Sequence, residues 1–231
     1  MANYLKYAIG EIILVVIGIL VALQINNWNE QRKFRKAEKE LYERILTDLQ
    51  FDENKIENHM MQYKKDQEMY NRIYREAQGI SKNDSMINFS TIRAAIPFDL
   101  IIESNYSNFS MDMQNSKINE SIKHYFRLEN FVHDSFEYLH SFKEYRLRPF
   151  LSKYGMNDTK KLYDNYQLDY YELREKEIFS YPKLKEQYGT VELDQILFDL
   201  GIQTSWALTA LNDILEANKE LQLELKNELN R

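Results

Sequence analysis

A chain of 231 residues holds one domain of ordinary size once a membrane anchor is set aside. Its net charge of −6 argues against nucleic acid as a partner, because binding there needs a basic face that displaces counterions from phosphates. With no cysteine the chain has no disulfide, zinc-thiolate site, iron-sulfur cluster or cysteine nucleophile, and six Gly and three Pro leave few breaks, which favours long helices over a many-turned sheet.

The first element is an uncleaved transmembrane helix. An unbroken apolar run extends from Ile12 to Leu23, and counting outward from Tyr4 to Ile25 gives 22 residues, roughly 33 Å of helix, which matches a bilayer core. Tyr4, Tyr7 and Trp28 flank the run as interfacial anchors, and Asn26, Asn27, Asn29 and Glu30 mark the return to water. The anchor is assigned to residues 1–29 and a soluble domain to residues 30–231. A cleaved signal peptide would want a small-x-small site where the chain reads Leu23-Gln24-Ile25-Asn26. A buried core helix would not run straight on into so polar a stretch.

Glu11 is out of place in this run, since a carboxyl in lipid is costly unless it pairs, is protonated or reaches water. At 100° per residue Glu11, Val15, Gly18 and Ala22 share one stripe, and Gly18 with Ala22 form a small-xxx-small pair that permits close helix approach. Two readings stand side by side: a self-associating anchor with Glu11 inside the contact, or a Glu11 near the membrane edge.

From Gln31 to Gln78 the chain has no Pro or Gly, and Phe34, Leu41, Ile45, Leu49, Ile56, Met60, Tyr63 and Tyr70 form the stripe of a long amphipathic helix. Asp52 and Gln67 interrupt it, so packing against helices of the same chain is expected over a strict coiled coil. Gly79 ends this helix and Ser81–Ser85 make a loop. A short helical piece is expected around Thr91–Ile96, stopped by Pro97, then another over Phe98–Ser104, and a loop over Asn105–Ser110. Ile118, Ile122, Tyr125, Val132, Phe136, Leu139 and Phe142 mark a second long helix from Ser116 to about Arg146, closed by Pro149 and Gly155. Short helices are expected over Met156–Tyr188. Thr190 is the N-cap of a last long helix striped by Leu193, Leu197, Leu200, Leu208, Leu211, Leu215, Leu225 and Leu229. The fold class is all-α: a transmembrane helix continuing into an antiparallel bundle of three long helices plus shorter ones.

The stretch Tyr7–Glu30, YAIGEIILVVIGILVALQINNWNE, closely resembles the signature of an uncharacterised family of small single-pass proteins known mainly from Bacteroidota. Looser likeness continues through the long Glu/Lys/Leu-rich helix, the segment Pro97–Ser104 and the C-terminal leucine helix. The resemblance implies a helical protein anchored in a bacterial inner membrane and supplies no activity. Orientation is contested. Lys6 alone opposes Arg32, Lys33, Arg35 and Lys36, which by the positive-inside rule places the domain in the cytoplasm. The basic leader common in the family, absent before the span here, instead favours a periplasmic domain, and the reading leans slightly to the periplasm.

The best metal-like arrangement is Glu129, His133, Glu137 and His140, stacked on one helical face at spacings of four, four and three. Dimetal bundle sites need a second such pair on a facing helix, so a solvated polar face is the preferred reading and no metal or cofactor is expected. No phosphate-cradling Gly-rich loop, nucleophile elbow or H-E-x-x-H occurs, and no enzyme is expected. Tyr163, Tyr166, Tyr170 and Tyr171 are read as partly buried, with a binding surface as the alternative. The expected function is a membrane-tethered, non-enzymatic protein that binds a protein partner, self-associates or organises an envelope complex; the alternative is a small-ligand sensor of helical-bundle type.

Overall fold

Helix α1 runs from Ala2 to Ala77 as one uninterrupted rod of 76 residues, about 110 Å long. The computed structural model describes residues 2–80, 89–94, 98–108, 113–169, 172 and 176–230, with the backbone alone for residues 2–9 and 90. Asn26, Asn27, Asn29 and Glu30 therefore do not break the helix between anchor and domain; without Pro or Gly, nothing there disturbs the hydrogen-bond ladder. From Gly10 to Ala37 the side chains are exposed, Asn29 alone being half-buried, and the first buried residue is Leu41. The apolar segment is long enough to cross a membrane and is nowhere buried in the fold, which removes the core-helix reading. The side chains of Tyr4 and Tyr7 lie outside the described residues. Glu11, Val15, Gly18, Ala22 and Trp28 are all exposed.

After α1 come a 3-10 turn at Phe89–Arg93, α2 at Ile102–Tyr106, α3 at Ser116–Phe142, a π turn at Lys143–Leu147, α4 at Arg148–Lys153, α5 at Thr159–Asp164, α6 at Tyr181–Lys185 and α7 at Val191–Leu229. Among the described residues there is no strand, only one antiparallel bridge between Asn157 and Phe179. The chain is all-α, with a candidate span at its N-terminus.

The stops follow from local chemistry. Gly79 takes φ +67°, its N–H donating to Glu76 O and that of Ile80 to Arg75 O, so the last carbonyls of α1 are satisfied by a Schellman turn. Gly155, at φ +65°, ends α4 with the same pair of bonds to Ser152 O and Leu151 O. Pro149 does not close the second long helix. It sits in the first turn of α4, where its missing N–H costs nothing, and helical winding continues through the π turn to Lys153. Thr190 caps α7 as expected, its Oγ1 accepting from Leu193 N at 3.3 Å.

The three stripes meet in one core. Leu41, Ile45, Leu49, Ile56, Tyr63 and Tyr70 of α1 pack with Ile118, Ile122, Tyr125, Val132, Phe136 and Leu139 of α3 and with Leu193, Leu197, Leu200, Leu211 and Leu225 of α7. Phe34 is an exception at 57% exposed, because burial begins only at Leu41, about two turns later. The long helices form an antiparallel bundle in which the last one runs against the two others. Helix α7 is antiparallel to both others, pairing Asn218 with Leu49 and Ser205 with Gln67 on α1, and Glu224 with Ser121 on α3. Helices α1 and α3 run the same way, since Glu38 meets Asn115 at one level and Asp66 meets Lys143 far along. The connection between them must therefore return to the level of Glu38, and α2 lies on that return path.

Of the short elements, Thr91–Arg93 is helical within a 3-10 turn that starts at Phe89, while Ile96, Pro97 and the Ser81–Ser85 loop lie outside the described residues. The piece expected over Phe98–Ser104 begins later, at Ile102, and extends through Asn105 and Tyr106, which were expected in a loop. The reason is tertiary and lies in two buried carboxylates.

Candidate functional site

Asp52 and Glu129 reach the start of α2 from opposite sides. Asp52 Oδ2 accepts from Ile101 N at 3.2 Å, and Glu129 Oε1 and Oε2 accept from Ile102 N at 3.1 Å and Glu103 N at 2.6 Å. Three of the unpaired N–H groups at that helix end are thus met by buried carboxylates, which fixes where α2 starts. Burial pushes the Glu129 carboxyl up to about 8, the two backbone donors pulling the other way and Asp52 adding to the rise. Burial likewise raises Asp52 to about 6, opposed by the Ile101 N–H and Lys55 and assisted by Asp48. Asp52, the residue that interrupts the apolar stripe of α1, is fully buried on the core face because it has this partner.

One level on, Asn218 donates to Leu49 O and to the Tyr125 hydroxyl, both at 3.0 Å, while Gln222 donates to the Asn218 side-chain oxygen at 2.7 Å and to Glu53 at 2.6 Å. This ladder ties α1, α3 and α7 together through polar groups that meet each other's needs. Further along, the buried Lys143 ammonium at the start of the π turn donates to Ala94 O at 2.9 Å and lies 3.6 Å from Asp66. His59 packs against Phe98, Phe136 and Tyr63, and burial lowers it to about 4, with Lys55 and His140 adding to the effect. It is neutral at physiological pH.

The structure does not assemble Glu129, His133, Glu137 and His140. Glu129 turns inward to cap α2, His133 and Glu137 stand in solvent 3.9 Å apart, and His140 is half-buried against Phe136. At 100° per residue Glu129 and His140 fall within about 20° of each other while His133 and Glu137 lie about 40° and 80° round the helix, so nominally stacked positions divide between core and water. Among the described residues no three His, Asp or Glu side chains converge as metal ligands.

A groove of about 920 Å³ lies between the far halves of α1 and α7. Lys64, Gln67, Asn71 and Tyr74 form one wall and Asp194, Phe198, Ile202 and Ser205 the other, with Tyr70, Leu197 and Gly201 also lining it. Gln67 donates to Ser205 across it at 2.9 Å. Phe198, Ile202 and Tyr74 are 63%, 54% and 48% exposed, so apolar area faces water along both walls. A Cβ placed on Gly201 would meet nothing within 4 Å, which keeps the groove open at that turn. Beside it, Glu76 holds the end of the bundle together by accepting from the Tyr181 and Tyr188 hydroxyls and pairing with Lys185 at 2.9 Å. Tyr163 and Tyr166, read from sequence as partly buried, are exposed, as is Tyr145; Tyr170 and Tyr171 lie outside the described residues.

Sequence reasoning overlooked this groove, although Phe198 and Ile202 sit off the leucine stripe of α7 at i and i+4, a second apolar face that is exposed among the described residues. Comparison with curated proteins and with solved structures gives no match. Over residues 11–111, from the apolar segment of α1 through Asp52 to the end of α2, the chain matches the model of the Family of unknown function (DUF6090).

Proposed function

We propose that the chain is a non-enzymatic, membrane-tethered protein whose bundle presents the α1/α7 groove to a protein partner. The observation that carries this reading is the continuity of α1. The same rod bears an exposed apolar segment at one end and, at Gln67 and Tyr74, the wall of an apolar groove at the other. Exposed apolar and aromatic side chains along two helices suit a partner's amphipathic helix or loop, which gains affinity by covering them. With Ile25 at the bilayer edge, the groove stands about 60 to 75 Å above it, a reach suited to an envelope scaffold.

Gly201→Leu tests the site. The side chain fills open space in the groove, and replacing a helical Gly gains about 1 kcal/mol of helix stability, so folding is kept while docking is blocked. A photo-crosslinking residue at Phe198 should capture a discrete polypeptide in cells, and Gly201→Leu should reduce that adduct at least about tenfold, the equivalent of 1.4 kcal/mol. Equal capture with and without Gly201→Leu would refute the groove. The alternative, a small-ligand sensor, draws on the polar groups Lys64, Gln67, Asn71 and Asp194 in the same walls. It predicts a saturable rise in unfolding temperature with a low-molecular-weight cell extract and no polypeptide adduct.

For orientation we take the periplasmic side, supported by the family resemblance and opposed by the flanking charges. Ser152 is exposed on α4, and as the chain has no cysteine, Ser152→Cys is a unique probe. Labelling by an impermeant maleimide in intact spheroplasts is the expected result, and labelling only after lysis would place the domain in the cytoplasm.

A further inference from the structure

We infer that Arg32, Lys33, Arg35 and Lys36 form a collar on α1 that binds anionic phospholipid headgroups; this rests on the anchor reading above. These four charges fall within five consecutive residues, all exposed, in the part of α1 before Glu38, which no hydrogen bond or ion pair ties to another element among the described residues. Their ties within the chain are slight: Lys33 lies 3.2 Å from Glu30 and Lys36 3.8 Å from Glu40 at the solvent-exposed surface, and Arg32 lies over the Trp28 ring. No ion pair engages Arg35 among the described residues. Exposed pairs of this kind are readily exchanged for other anions.

Position makes the bilayer surface the partner. Counting from Ile25 at the core edge, Arg32 stands about 10 Å and Lys36 about 16 Å outward, while the headgroup layer is about 5 to 8 Å deep. All four charges thus lie within or about one Debye length beyond the headgroups, where an anionic surface attracts basic side chains. At 100° per residue they cover about 160° of the helix, and Phe34, whose ring the core does not use, occupies the opposite side.

Charge distribution gives the collar a second effect. Of the 30 basic residues five (Lys6 and the collar) precede residue 37, as do two of the 36 acidic ones (Glu11 and Glu30), so residues 37–231 carry −9. An anionic surface attracts the collar and repels the bundle, which favours an upright α1 and holds the groove away from lipid.

The test uses the full chain in phosphatidylcholine vesicles containing a trace of spin-labelled phosphatidylglycerol or spin-labelled phosphatidylcholine. The motionally restricted fraction of each lipid is read by electron spin resonance. The expected result is a preference of about threefold or more for the anionic lipid, falling in 0.5 M salt by screening. It should be lost in the variant R32Q/K33Q/R35Q/K36Q while total restricted lipid and helix content stay unchanged. An equal preference in parent and variant, or none in the parent, would overturn the collar and leave the anchor standing. No restricted lipid of either kind would overturn the anchor and the collar together.

Discussion

Glu129 shows how one buried side chain couples fold to pH. Its carboxyl is raised from an ordinary value of 4.5 to about 8 by burial, so the folded state holds a proton that the unfolded state has released. Stability from this group is therefore complete below about pH 4.5 and is lost as pH rises through about 8, at up to about 1.4 kcal/mol per pH unit where the difference is one proton. His59 acts in the opposite sense. Lowered to about 4, it contributes stability above pH 6.5 that is lost as pH falls, and Asp52, raised to about 6, partly offsets it over the same acid range. Between pH 6.5 and 8.5 Glu129 dominates. Urea unfolding of residues 31–231 should show stability declining over that interval, and Glu129→Gln should flatten the decline. A decline of the same slope in Glu129→Gln would show that another group carries it.

Among the elements, the three long helices were readable because each carries an apolar stripe many turns long, and a period repeated that often survives a few wrong residues. Asp52 is instructive. In sequence it interrupts the stripe, and in the fold it lies at the centre of the core, since a polar residue on an apolar face is acceptable when a backbone N–H meets it. That N–H belongs to Ile101, 49 positions away, and no local pattern reports a partner so distant. The start of α2 was misplaced for the same reason. The groove escaped notice because its walls come from two helices, and which residues of α1 and α7 lie level with each other is a tertiary register that neither stripe encodes. Within α1, Glu11, Gly18 and Ala22 share an exposed stripe, and self-association through it remains a proposal at this scale. In a transmembrane-association reporter carrying Tyr4–Trp28, Gly18→Ile should weaken association by about 1 kcal/mol, Glu11→Ala by less, and Leu20→Ala scarcely at all. A Gly18→Ile span that associates like the parent, with Ile17→Ala weakened instead, would assign the contact to another face.

At the scale of the whole molecule, the chain is built on the rod of α1, whose first half bears exposed apolar and basic segments and whose second half supports a bundle. Leaving side chains such as Ile12, Leu14 and Leu20 in water forfeits about 1.5 to 3 kcal/mol each relative to burial, a sum that exceeds the ordinary stability of a domain. Nothing among the described residues covers them, and a bilayer would. The direct measurement is alkaline carbonate extraction of membranes containing the full chain, beside a form that begins at Gln31. The full chain should stay in the membrane pellet, while the shortened form should be soluble and strongly helical by circular dichroism. Release of the full chain into the carbonate supernatant would contradict the anchor.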